Sequence, residues 1–165
     1  MKILYLIRHA KSSRDNHDVR DHERELNHRG RQDAALMAKI IRQKKIKPDL
    51  IISSPAIRAI DTAKVFAGIL DYPVEKIEAD EMIYEAGLKE LYEVVRNIDD
   101  DKNNVMLFGH NPGISAFGNL LSKEQISEMP TCSIVGLELN INSWKDAERH
   151  CGKIILFEYP KKYTE

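Results

Sequence analysis

Two arginines and two histidines stand just beyond short apolar runs of the chain. Arg8-His9 follows Ile3 to Ile7, and Arg58 lies a few residues past Leu50-Ile51-Ile52, after Ser53-Ser54-Pro55. His110 follows Val105 to Phe108, within Gly109-His110-Asn111-Pro112. A guanidinium fork matches phosphate oxygens two at a time. A neutral imidazole is a good nucleophile near pH 7. If the three runs are neighbouring strands, these side chains converge with two helix N-termini, whose free N–H groups also suit an anion. Nothing acidic stands at the three run ends to repel a phosphate. Taken singly, each residue has a plain structural use. His9 could be a satisfied core histidine, and Arg8 could snorkel to water. Arg58 could pair with Asp61 or Asp49, and His110 could cap a turn. Their joint occurrence after apolar runs is what points to phosphoryl chemistry.

The elements that must position them follow from pattern. Ile3 to Ile7 reads as a buried first strand and residues 11–26 as a long charged loop. Asn27 is a helix cap, and Ala34, Met37, Ala38 and Ile41 form one face of the helix after it, which Pro48 ends. Leu50 to Ile52 is a second strand. Ser54-Pro55 reads as a cap followed by proline at the first helical position, with Ile60, Ala63, Ala67 and Leu70 on the buried face. A weak strand is expected over 74–79, a helix over 88–98 with Leu88, Leu91, Tyr92 and Val95 on one face, and a strand over 105–108. Asn111-Pro112 repeats the cap-then-proline pattern before Ile114, Phe117 and Leu121. Strands over 134–141 and 153–159 close the chain, with a short segment bearing Trp144 between them. Alternating strands and helices predict an α/β fold, a three-layer α/β/α sandwich whose mainly parallel central sheet carries helices on both faces. Ligands bind such sheets beyond the carboxyl ends of the strands.

Composition sets the outer limits. The 165 residues suit a single domain over 1–165, and 42% hydrophobic residues exclude a disordered chain. Lys and Arg number 25 against 26 Asp and Glu, so neither nucleic acid nor an anionic membrane is an expected partner. No segment has a membrane span's apolar length, and Arg8-His9 interrupts the first apolar run too early for a signal core. With only Cys132 and Cys151, the expectation is a reducing cytoplasm. His17, His22 and His28 stand among Asp15, Asp18, Asp21 and Glu23, but spacings of five and six match no zinc signature. We expect no metal there and no cofactor, only a solvated loop that can border the mouth of the site.

The strand-end segments also resemble a known family. Leu6-Ile7-Arg8-His9-Ala10-Lys11-Ser12 is similar to the signature of the histidine phosphatase superfamily, which includes the phosphoglycerate mutases and usually reads Arg-His-Gly. Ser53-Ser54-Pro55-Ala56-Ile57-Arg58-Ala59-Ile60-Asp61-Thr62-Ala63 resembles its Ser-Pro-x-x-Arg-x-x-x-Thr-Ala segment. Phe108-Gly109-His110-Asn111-Pro112 resembles its Gly-His-x-Pro segment, and Glu25-Leu26-Asn27-His28-Arg29-Gly30 its Pro-Leu-Thr-x-x-Gly segment, with Arg24 near the arginine that often precedes it. The small size resembles the SixA-type phosphohistidine phosphatases. The resemblance implies a phosphoglycerate mutase-like fold with His9 as nucleophile. Arg8, Arg58 and His110 would hold the phosphoryl group and Arg24 would add a contact. It implies a metal-independent phosphatase whose partner is a phosphorylated histidine-containing protein, or a small phosphorylated substrate. The alternatives are a phosphomonoesterase or mutase-like enzyme, and a noncatalytic phosphoprotein-binding module. Ala10 replaces the usual glycine, which we take as a marker of branch. For a general acid, Glu85 and Glu81 are both candidates, and Glu85 is preferred for its place in a strand-to-helix loop.

Overall fold

The computed structural model describes residues 1–14 and 18–164. Its six-stranded sheet has the order β3-β2-β4-β1-β5-β6. The strands are β1 (Lys2–Arg8), β2 (Leu50–Ser53), β3 (Glu78–Ala79), β4 (Asn104–Gly109), β5 (Ile134–Leu139) and β6 (Gly152–Glu158). The first four in that order pair in parallel, and β5 and β6 are added antiparallel beside β1. The helices are α1 (His28–Gln43), α2 (Ile57–Ile69), α3 (Leu88–Arg96), α4 (Gly113–Leu121) and the short α5 (Lys161–Thr164).

Side chains of a strand alternate between faces, and β1 uses both. Leu4 and Leu6 pack with Leu91, Val94 and Val95 of α3 and with Ile114, Phe117 and Leu121 of α4. Tyr5 and Ile7 pack on the opposite face with Met37, Ala38 and Ile41 of α1 and with Ala63, Phe66 and Ala67 of α2. Each fully buried Leu, Ile or Phe contributes roughly 1.5–3 kcal/mol relative to exposure. The central strands are therefore held from both sides, which produces the expected three-layer sandwich.

Several boundaries differ from the pattern, each for a local reason. α1 stops at Gln43, before Pro48, because Lys44 N–H bonds back to Ile40 O and Ile41 O and Lys45 turns left-handed at φ 61°. α2 begins at Ile57 with Ala56 as its cap, since the Ser54 hydroxyl accepts from Ala56 N–H and also bonds His110. Only Glu78–Ala79 of the weak strand pairs with β2, and Val74–Lys76 forms a 3-10 turn. Leu88 is 39% exposed and leaves the buried face of α3 to Leu91, Val94 and Val95. Asn111 does not cap α4: Pro112 takes that place after a cis peptide bond, and Asn111 Nδ2 donates to Met129 O.

One close approach locks α1 to β1. Asn27 Oδ1 accepts from Gly30 N–H at 2.8 Å, and Asn27 N–H donates to Lys11 O at 3.0 Å. A Cβ on Gly30 would lie 2.0 Å from that same carbonyl oxygen of Lys11. Only a hydrogen fits between the first turn of α1 and the chain leaving β1.

Candidate active site

Strand register brings the chemistry together. Arg8 of β1 pairs with Gly109 of β4, and Ser53 of β2 pairs with Phe108 of β4. The three strands therefore end level, and the residues that follow them, His9, Ser54 and His110, become neighbours. The His9 and His110 ring centroids lie 5.2 Å apart. Arg58 arrives on the first turn of α2. A cavity of about 440 Å³ lies beyond these ends, and its lining includes Arg8, His9, Arg24, Arg58 and His110.

His9 is held from several directions. Its N–H donates to Gly109 O at 3.1 Å, and its own carbonyl accepts from Cys132 N–H at 3.0 Å. Its ring Nδ1 lies 2.7 Å from Ala10 O. A carbonyl can only accept, so Nδ1 carries the proton and Nε2 keeps its lone pair. Ala10 N–H donates to Thr62 Oγ1, whose hydroxyl donates to Arg58 O, which ties the loop after β1 to α2. His110 Nε2 lies 2.8 Å from Ser54 Oγ. When the Ser54 hydroxyl donates to that nitrogen, His110 Nδ1 becomes an N–H donor. Nδ1 is buried with no hydrogen-bond partner among the described residues, as are Nε of Arg8, Arg24 and Arg58. All four belong to residues that line the cavity, and three guanidinium groups and an imidazole around one cavity suit an oxyanion. Arg8 Nη1 is steadied by Met129 O at 2.9 Å, and Arg24 Nη2 by Ser12 Oγ at 2.9 Å.

Burial, with the neighbouring cations adding to it, lowers the His9 pKa to about 3 and that of His110 to about 4. Ala10 O opposes the shift at His9, and Asp21 opposes it at His110. Both rings are thus neutral near pH 7. In the unfolded chain both titrate near the ordinary value of 6.5, so below that pH the unfolded state takes up protons that the folded state refuses. Stability should fall as pH drops from about 6.5 towards 4, by roughly 2 kcal/mol per histidine at pH 5. Thermal unfolding at pH 5 and 7 checks this: the pH dependence should flatten in a His9→Ala, His110→Ala double variant. An unchanged slope would show that these rings do not cause it.

Several residues escaped the sequence reading. Asp21 lies in a 3-10 turn (Asp21–Glu23) of the charged loop. Its carbonyl accepts from Arg58 Nη1 at 2.6 Å, and its Oδ2 accepts from Arg58 Nη2 at 3.0 Å and from the Tyr84 hydroxyl at 2.7 Å. Arg58 thus pairs with neither Asp61 nor Asp49, and the site contains a carboxylate that the three run ends lack. Loop position depends on tertiary contacts and leaves no periodic signal, although the loop was expected at the mouth. The hydrogen bond from Tyr84, with Arg58 adding to it, holds the Asp21 carboxyl below the usual range. The same bond pushes the Tyr84 hydroxyl up to about 12. Ser54 and Thr62 lie in the 53–63 stretch that resembles the family segment, but nothing in the sequence shows their partners.

Glu85 is exposed at φ 55° beside Tyr84, and neither it nor Glu81 is among the described residues lining the cavity. Asp15 and His17 of the histidine-rich loop lie outside the described residues. Among the described residues, no group of three His, Cys, Asp or Glu side chains could hold a metal ion. Among them, too, no helix is long and apolar enough to cross a membrane.

A buried imidazole with a free Nε2, ringed by guanidinium donors at the carboxyl ends of parallel strands, defines a phosphoryl-handling α/β protein. Residues 4–92 match the histidine phosphatase superfamily (branch 1), and the chain belongs to that family. An uncharacterized chloroplastic protein of Arabidopsis thaliana is 33% identical over 152 residues, covering 87% of this chain and 69% of the relative. The crystal structure of the candidate phosphohistidine phosphatase SixA of Agrobacterium tumefaciens is 26% identical with a TM-score of 0.79, covering 96% of this chain and 98% of that one. A protein histidine phosphatase SixA complexed with tungstate shares the fold at a TM-score of 0.84 and 18% identity, with 97% and 98% covered. Family and fold support a phosphatase.

Proposed function

We propose that this protein hydrolyses phosphohistidine on a partner protein through a covalent phosphohistidine at His9. The observation that carries this reading is the 2.7 Å contact of His9 Nδ1 with Ala10 O, which leaves Nε2 unprotonated in a cavity ringed by cationic donors. His9 Nε2 attacks phosphorus, the bond from phosphorus to the substrate nitrogen breaks, and the substrate imidazole leaves. Water then attacks the phosphorus on His9 and releases inorganic phosphate, regenerating the free ring. Arg8, Arg58 and the Nδ1–H of His110 hold the equatorial oxygens, where such transition states need charge stabilisation and positioning. Arg24 adds a further contact. An imidazole departs with far less help than an alkoxide. Glu85, in the loop that carries Tyr84, is the proposed proton donor where the leaving group is an alkoxide.

Incubation with a phosphorylated histidine-containing protein tests the reading. The wild-type protein should remove the label and release inorganic phosphate, and it should do so faster than it cleaves a simple alkyl phosphate. Turnover of alkyl phosphates alone, with every phosphohistidine protein left intact, would overturn it.

A further inference from the structure

One side of the cavity mouth is built unlike the rest. Of the described residues lining the cavity, Asp21 alone is acidic, beside the cations Lys11, Arg14 and Arg24. Its side chain is 51% exposed, against 7% for that of Arg58 beneath it. Two hydrogen bonds, from Arg58 and Tyr84, fix Oδ2, while Oδ1 meets Arg24 Nη1 at 3.6 Å. A carboxylate has about four acceptor positions, so it retains capacity for another donor. The Tyr84 ring stands behind Asp21, edge-on to His110 at 5.7 Å and to His22 at 6.2 Å.

In-line displacement puts the leaving group opposite the nucleophile. His9 is 7% exposed, so the leaving group departs towards the opening, where the exposed Asp21 lines the cavity. Lys11, Arg14 and Arg24 alone would favour a leaving group with extra negative charge. A fixed carboxylate beside an aromatic ring favours the opposite: a flat ring bearing an N–H.

We propose that Asp21, held by Tyr84 and Arg58, is a specificity-determining residue that selects an imidazole leaving group and disfavours one bearing a carboxylate. This rests on the phosphohistidine reading above. The substrate ring carries a proton on the nitrogen not bonded to phosphorus and donates it as a hydrogen bond to the Asp21 carboxylate. As His9 Nε2 bonds to phosphorus, the electron pair of the breaking nitrogen–phosphorus bond returns to the substrate ring, which keeps its proton and leaves as neutral imidazole. A carboxylate-bearing leaving group meets like charge at the same place.

The test compares wild type and Asp21→Asn on three probes: phosphoimidazole, p-nitrophenyl phosphate and 3-phosphoglycerate. Losing one charge-assisted hydrogen bond should lower kcat/KM for phosphoimidazole, relative to p-nitrophenyl phosphate, about 10- to 100-fold. The rate on 3-phosphoglycerate relative to p-nitrophenyl phosphate should rise. Tyr84→Phe, which frees the carboxylate but removes no charge, should shift both ratios the same way by less, and it serves if Asp21→Asn does not fold. Ratios unchanged within about twofold in both variants would overturn the role of Asp21 and leave the phosphohistidine reading intact. A wild-type protein inert towards every phosphoramidate would overturn the reading itself.

Discussion

His9→Ala folds and loses turnover by about 10⁴-fold or more, because the covalent intermediate forms on its ring and the neighbouring His110 has its Nε2 engaged by Ser54. The ring is buried, but among the described residues its side chain makes one hydrogen bond, to Ala10 O, so its removal trims a small core contact and leaves the strand pairing intact. Circular dichroism and the melting temperature at pH 7 should stay close to wild type. The complementary measurement is an acid-avoiding quench during turnover, followed by mapping of the labile phosphate. Label should sit on His9. His110, 5.2 Å away centroid to centroid, is the rival, and label there would exchange the two roles. Their surroundings separate them: Nε2 of His110 is engaged by Ser54, whereas the hydrogen bond of His9 is at Nδ1.

Arg58→Lys is the second large effect. It keeps the positive charge, but an ammonium cannot span two phosphoryl oxygens as a fork does. The guanidinium also bonds both the carbonyl and the carboxylate of Asp21, a pairing that one nitrogen cannot reproduce at both distances. Losing one such donor costs on the order of 10²–10³ in rate. kcat/KM should fall by that factor on p-nitrophenyl phosphate and on phosphohistidine alike, and orthovanadate should inhibit more weakly in parallel. A loss below about tenfold would mean that Arg58 mainly anchors the loop at Asp21.

The parts of this site that were legible in the sequence share a physical property. His9, Arg58 and His110 each follow an apolar run, and such runs must become central strands, since nothing else buries Leu4 to Ile7, Leu50 to Ile52 and Val105 to Phe108 on both faces. Once the strands are parallel and level, the convergence follows. What stayed hidden depends on contacts between segments distant in sequence. Asp21 and Tyr84 are 63 residues apart and meet because the loop after β1 folds onto the first turn of α2, where Arg58 holds Asp21. Ser54 carried a capping signal and is used instead to orient His110. Val74 to Ala79 looked like a strand, but its charges leave only two residues paired at the sheet edge. Asn111-Pro112 matched a capping pattern, but Pro112 itself takes the cap position, so the asparagine stands one residue too early and its amide donates to Met129 O instead.

The contact between Gly30 and the Lys11 carbonyl has an evolutionary reading. Exposed side chains among the described residues between these two positions can drift, and drift there is the cheapest way to retune what the mouth admits. Position 30 has no such latitude. The helix is registered against the strand that ends in the nucleophile by the thickness of one hydrogen atom, so a methyl group there would displace the chain two residues past His9. A lineage can therefore rewrite its substrate range by editing the loop while this spacer stays frozen. A change at Gly30 would be seen as a lost activity, although the residue touches no substrate.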